Sequence, residues 1–272
     1  MKNLKLLDGA MGTELMKRGL RLGAFPEQVN LTDPEAVQAI HRAYIDAGSD
    51  ILYACTFGAN PLKARGADIA PVIAAALTNA RLAAGERAQV ALDVGPLGQL
   101  LEPYGELPEE KAREVFRQVF EAGKTAELIV LETFFDLREA LIALETAKTL
   151  LQGVPCFVTM TFQASGRTLT GVTPKEAARE LTAAGADAVG LNCSLGPAEA
   201  LPMVKEMRDS TSLPLIVKPN AGIPDPATGV YPLSADAFAA AMGPILAAGA
   251  AYIGGCCGTD PDYIRALRGL PG

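Results

Sequence analysis

Short apolar, β-branched runs recur along this chain, each followed by a helix-length amphipathic stretch. In order they read KLLDGA (5–10), ILYACTF (51–57), VALDVGP (90–96), LIVLETF (128–134), CFVTMTF (156–162), AVGLNCS (188–194), LIVKPNA (215–221) and YIGGCCG (252–258). They are apolar throughout rather than alternating, as strands are when both faces are covered. The segments between them, such as PEAVQAIHRAYIDAG and PEEKAREVFRQVFEAGKTAE, place apolar residues at helical spacing. Eight strands alternating with helices predict an α/β fold, a parallel sheet closed into a (β/α)8 TIM barrel, as one domain over 1–272. AGSDI (47–51), AGADA (184–188) and AGAAY (248–252) each put a helix-ending glycine just before a strand. Pro34, Pro108, Pro174 and Pro261 stand where helices open and a missing N–H costs little. A doubly wound open sheet is the competing architecture. Its usual phosphate turn is G-x-G-x-x-G, whereas DGAMGTE has glycines three apart.

With 272 residues the core needs no disulfide staples. The formal net charge is -7 and no basic stripe stands out, which argues against nucleic acid or an anionic membrane as partner. The opening MKNLKLLDGAMG is neither signal peptide nor anchor, and no apolar run would span a bilayer, so a cytoplasmic protein is expected. Five cysteines, an odd number, argue against a disulfide framework and leave metal binding, catalysis or plain burial. His41 is the sole histidine, so a metal site here rests on sulfur and oxygen.

In a barrel, function collects at the C-terminal strand ends. Cys193 ends the sixth run, and Cys256 and Cys257 end the eighth, on strands that point side chains into a shared layer. Gly254 and Gly255 would let the last strand bulge or turn out of its pleat, so that both neighbouring thiols face the mouth. Three thiolates around one point suit zinc with an open fourth position, which would take a thiol substrate as thiolate. That chemistry serves alkyl transfer to sulfur. Other readings stand beside it: buried cysteines as small hydrophobes, a vicinal disulfide as redox switch, and the glycine pair as a phosphate cup. Cys156 begins its strand at the opposite rim, where burial is its expected role. Asp8 and Glu132 end apolar runs and are either solvated acids or a grip on an ammonium group, with backbone N–H groups after Asp8 receiving a carboxylate. His41 lies beside Val37, Ile40 and Tyr44 and reads as a packing or hydrogen-bonding residue. Asp93 and Asn220 would orient ligands or tie loops.

LDGAMGTEL, TFGAN, LETFFD, GLNCS, PNAG and GGCCGT occur here in the order found in the homocysteine S-methyltransferase family, from about Leu7 to Leu267. The chain resembles that family, whose members are (β/α)8 barrels binding zinc through three cysteines and methylating homocysteine to methionine. By this resemblance Cys193, Cys256 and Cys257 match the catalytic zinc ligands, Asp8 and Gly9 the motif contacting homocysteine, and Glu132 the acid contacting its amino group. PNAGIP and GGCCGT are similar to the homocysteine module of cobalamin-dependent methionine synthases; S-methylmethionine users tend to carry Arg at the place of Gly258 and Ser near Ala221. The resemblance leaves no stretch for folate, cobalamin or activation modules. It therefore implies L-homocysteine as substrate and methylcobalamin carried by a separate corrinoid protein as donor. The alternatives are a self-sufficient enzyme using S-methylmethionine or a betaine-like donor, and a non-catalytic zinc- and homocysteine-binding subunit. Cys55 stands where that branch often has Asn, and Thr56, Asn192 and Asn220 are its companions as residues that would orient the site.

Overall fold

The computed structural model describes residues 4–20, 23 and 25–270. Strand β1 (Lys5–Leu6) leads into α1 (Met11–Lys17), a 3-10 turn at Pro26–Gln28, α2 (Val29–Thr32) and α3 (Pro34–Ala47). Then follow β2 (Ile51–Tyr53), α4 (Ala70–Ala84), β3 (Gln89–Val94), α5 (Glu109–Ala122), β4 (Ile129–Phe134) and α6 (Leu137–Leu150). The second half runs β5 (Cys156–Met160), α7 (Pro174–Ala183), β6 (Ala188–Asn192), α8 (Pro197–Arg208), β7 (Leu215–Lys218), α9 (Ala235–Ala247), β8 (Ala250–Ile253) and α10 (Pro261–Arg268). The strands form one eight-stranded parallel sheet in the order β1-β8-β7-β6-β5-β4-β3-β2. It is the expected (β/α)8 barrel, with α1 and α2 added between β1 and α3. Among the described residues no helix is long and apolar enough to cross a membrane.

Closure between β1 and β2 is narrow. Leu7 bridges Ile51, and the Asp50 N–H donates to the Leu6 carbonyl at 2.7 Å. Two carboxylates complete the seam, because Leu6 N–H donates to Asp50 Oδ2 at 2.7 Å and Tyr53 N–H to Asp8 Oδ2 at 2.7 Å. Side chains thus replace ladder bonds that the short β1 cannot make.

The barrel interior is plugged by Leu7, Ile51, Ala91, Leu128, Val130, Phe157, Ala188 and Ile216, a cluster separate from the larger one between sheet and helices. A side chain has no room at Gly190: a Cβ there would sit 1.9 Å from the Ile216 carbonyl oxygen. Gly48, Gly185 and Gly249 all have left-handed φ, as helix-ending glycines should. Pro34, Pro174 and Pro261 open α3, α7 and α10, while Pro108 sits one residue ahead of α5, as its cap. Cys156 is fully buried at the start of β5.

His41 is fully buried on α3, and neither ring nitrogen has a partner. Packing, not hydrogen bonding, is its role. Burial lowers its pKa to about 4. The unfolded chain therefore takes up this proton near its ordinary value of about 6.5, before the folded state does. Its contribution is full above that value and is lost as pH falls toward about 4. His41→Leu is expected to remove this slope. Urea melts at pH 7 and pH 4.5 should show the variant gaining, relative to the parent, on the order of 2 kcal/mol across that interval.

Candidate active site

Strand period positions the site. On four strands the residue two beyond an apolar plug residue is polar and shares its inward face: Ile51 and Tyr53, Ala91 and Asp93, Val130 and Glu132, Ile216 and Lys218. These polar residues roof the plug and floor a cavity of about 420 Å3 at the C-terminal mouth.

Asp8, which directly follows the plug residue Leu7, also lines this cavity and is the most fully engaged of its acids. Its Oδ1 accepts from Lys218 Nζ at 2.9 Å and its Oδ2 from Tyr53 N–H, with both charged side chains 4% exposed. Lys218 Nζ also lies 3.6 Å from the Tyr53 ring centroid and 4.0 Å from Glu132 Oε2. Burial alone would lower the Lys218 pKa, but Asp8, Tyr53 and Glu132 outweigh it and hold the ammonium charged. Glu132 is pushed up to about 7, chiefly by burial, with Lys218 opposing and Asp8 and Cys257 adding to the rise. Asp93 lies well above the carboxylate range through burial first and the Glu132 charge second.

A β-bulge aims Glu132. Between Leu131 and Phe134, β4 carries one residue more than β5 opposite, and Thr133 takes φ +64°. Asn192, ending β6, holds the bulge: its Oδ1 accepts from Thr133 N–H and Thr159 Oγ1, each at 2.8 Å. Its Nδ2 faces Thr133 Oγ1 at 2.7 Å, Glu132 Oε2 at 3.2 Å and Cys256 Sγ at 3.8 Å. One amide therefore ties the acidic floor to the sulfurs.

The three cysteines arrive by two routes. After β6 the backbone turns left-handed at Cys193 (φ +61°) and Ser194 (φ +58°), conformations that cost a non-glycine residue about 1 kcal/mol or more. After β8 the chain leaves the strand and passes between β7 and β1, with Gly254 N–H donating to Val217, Gly255 N–H to Asp8 and Cys256 N–H to Pro219 carbonyls. A Cβ on Gly254 would lie 2.7 Å from the Asp8 carbonyl oxygen, and one on Gly255 2.4 Å from Thr259 Oγ1. Only glycines pass that gap. A turn closed by Thr259 N–H on the Cys256 carbonyl then swings Cys257 to the same side as Cys256.

The three Sγ atoms lie within 4.8 Å of one another, with Cys193 and Cys257 3.8 Å apart. A tetrahedral zinc with Zn–S bonds of about 2.3 Å sets its sulfurs about 3.8 Å apart, so the set fits a thiophilic metal. Hydrogen bonds from Cys193 and then Cys256 pull the Cys257 thiol well below its ordinary range.

Asp8, Gly9, Cys55, Glu132, Cys193, Cys256 and Cys257 all line the cavity. Thr56, Asn192 and Asn220 do not: Thr56 Oγ1 ties the Asp93 backbone, Asn192 works behind Glu132, and Asn220 N–H joins the β7 loop to Leu195. Cys55 is buried on the wall, outside the sulfur cluster, and burial pushes its thiol up. Lys218, Tyr53 and Thr133 are lining residues that motif reading passed over. The period of two, counted inward from the plug, would have found Lys218 and Tyr53; the bulge that carries Thr133 has no sequence signal.

The sequence model described as Homocysteine S-methyltransferase matches residues 5–270. This chain belongs to the homocysteine S-methyltransferase family. It is 32% identical over 96% of its length to the methionine synthase of Mycobacterium leprae, but spans only 24% of that protein. It is 31% identical to the S-methylmethionine–homocysteine S-methyltransferase BHMT2 of Pongo abelii, covering 96% of this chain and 76% of that one. The metallated form of the homocysteine methyltransferase MmuM from Escherichia coli superposes with TM-score 0.83 at 26% identity, over 98% of this chain and 96% of that one.

Lys218 is the cation that Asp8 depends on. Lys218→Met should destabilise the fold by about 3–5 kcal/mol, because it strands a buried carboxylate. Adding Asp8→Asn should restore part of that loss. Guanidinium unfolding of both variants measures the difference.

Proposed function

We propose that this family member transfers a methyl group to the sulfur of L-homocysteine, giving methionine, with zinc held by Cys193, Cys256 and Cys257. The observation that carries the reading is the convergence of three sulfurs within 4.8 Å of one another, one pair at 3.8 Å, beside a carboxylate floor. Bound zinc would supply a fourth position in which a substrate thiol is kept as thiolate at neutral pH.

The chain's own residues do the rest. Glu132 receives the substrate ammonium, and Asn192 sets how far that carboxylate lies from Cys256. Asp8 and Gly9 shape the same end of the cavity, Asp8 through its hold on Lys218. An amino-acid thiol bound at both ends presents its sulfur in one orientation, which removes much of the entropic cost of the encounter. A carbon–sulfur bond forms as the methyl carbon leaves its donor, whose bonding pair stays with the donor.

For the donor, we favour methylcobalamin carried by a separate corrinoid protein. Similarity to methionine synthases supports this, as does Gly258. Its φ is +82°, and the place of a Cβ is filled by the Tyr231 ring at 2.3 Å, so the arginine typical of S-methylmethionine users has no room. A second reading, a self-sufficient enzyme with a small sulfonium or betaine-like donor, is favoured by the match to BHMT2, whose name gives S-methylmethionine as its donor.

Cys256→Ser should abolish stoichiometric zinc, read by metal analysis of protein purified under reducing conditions; retention of both zinc and activity would sink the ligand set. Zinc-loaded protein mixed with homocysteine and free methylcobalamin should demethylate the cobalamin, visible in its absorption spectrum. Turnover with S-methylmethionine and none with methylcobalamin would instead establish the second reading.

A further inference from the structure

Two acids lining the cavity, Glu27 and Asp93, have a buried carboxyl oxygen without a donor among the described residues. Glu27 is held by its other oxygen, which accepts from Gly58 N–H at 2.6 Å, whereas the Asp93 side chain has no hydrogen bond at all among those residues. Asp93, the last but one residue of β3, has its backbone pinned on both sides by Thr56 Oγ1, which donates to its carbonyl at 2.7 Å and accepts from its N–H at 3.1 Å. Its side chain lines the cavity, the residue is 6% exposed, and Oδ1 is buried with no donor. A buried, unpartnered carboxyl oxygen is costly unless a ligand supplies the missing donor. A cation set between Asp93 and Glu132 would also offset the burial and the Glu132 charge that hold Asp93 above the carboxylate range, and so let it ionise. The neighbouring acids differ. Asp8 already spends one oxygen on Lys218 and the other on Tyr53 N–H. Glu132 has only the long Asn192 contact at 3.2 Å and Lys218 at 4.0 Å. Asp93 and Glu132 come from adjacent paired strands: Asp93 is registered with Val130, and Glu132 stands two residues further on the same inward face. An ammonium group has three N–H donors to distribute.

We infer that Asp93, rather than Asp8, is the carboxylate that joins Glu132 in holding the ammonium group of homocysteine, and that it selects α-amino thiols over plain thiol acids. This rests on the homocysteine reading above. Asp8 then acts at one remove, keeping Lys218 from occupying the two free acids. Such a division explains why one lysine can stand in the same cavity as several carboxylates without filling the ammonium site.

The test compares homocysteine with 4-sulfanylbutanoate, the same thiol acid without its amino group, by calorimetric titration of zinc-loaded protein. Asp93→Asn keeps the side-chain shape. It should weaken homocysteine by about tenfold to a hundredfold, the range for a hydrogen bond to a charged group, and 4-sulfanylbutanoate by less than about twofold. In turnover, KM for homocysteine should rise while kcat holds. Equal weakening of both thiols, or unaltered homocysteine binding, overturns the inference. A crystal of the unmodified protein with homocysteine decides independently of whether the variant folds: the substrate nitrogen within hydrogen-bond distance of Asp93 supports the assignment, and its placement on Asp8 refutes it. Homocysteine binding through Asp93 without methyl transfer from any donor would refute the proposed function alone.

Discussion

The Asp8 carboxylate joins three strands. It extends from the end of β1, accepts the Tyr53 N–H of β2 and pairs with Lys218 of β7, all out of water. β1 is two residues long, and its link to β2 is otherwise a bridge at Leu7 and the Asp50 contacts below. Removing the charge at Asp8 would therefore weaken the barrel at its least-paired seam and free a buried ammonium beside the site. A buried ion pair is weak evidence for stability in itself. Here its value is geometric: it fixes where the positive charge sits among Asp8, Asp93 and Glu132.

The architecture was legible because its signal is repetitive. Apolar runs at strand length, separated by helical periodicity and closed by αβ-loop glycines, leave little room for another fold. The sulfur site was legible for a related reason, since strand ends of a barrel converge whatever their separation in sequence. Two things were harder to read. KLLDGA looks like a longer strand, but ladder pairing stops at Leu6 and the single bridge at Leu7, because the chain beyond turns into α1. Lys218 sits inside LIVKPNA, where a charge within an apolar run reads as a strand edge; only its inward parity, two residues after Ile216, marks it as part of the site.

Local strain is concentrated at the places that aim functional groups. Thr133, Cys193 and Ser194 are three of the four described non-glycine residues with positive φ, and all three adjoin the cavity or its sulfurs. Residue type predicts none of this, since threonine and cysteine ordinarily avoid the left-handed region. Asn192 makes it affordable by bonding the Thr133 backbone and hydroxyl together, and Cys193 N–H is anchored to the Lys218 carbonyl. The reward is directional: a β4 end in ordinary pleat would alternate Glu132 and Thr133 to opposite faces, whereas the bulge lets both line the cavity.

The resulting site has two chemically unlike ends held at a fixed spacing. Soft sulfur donors come from β6 and β8, hard carboxylates from β3 and β4, and the Asn192 amide touches one member of each set. A ligand satisfies both ends only if its own soft and cationic groups stand the matching distance apart. Specificity of this kind does not depend on a snug apolar wall, for which one methylene is worth only about 1–3 kcal/mol. It depends on what is left unpaired when the length is wrong. A thiol seated on the sulfur end whose nitrogen falls short of the floor leaves Asp93 Oδ1 as it stands without ligand, buried and without a donor. Under the assignment proposed for Asp93, the barrel would read chain length through the same unsatisfied oxygen that would read the amino group.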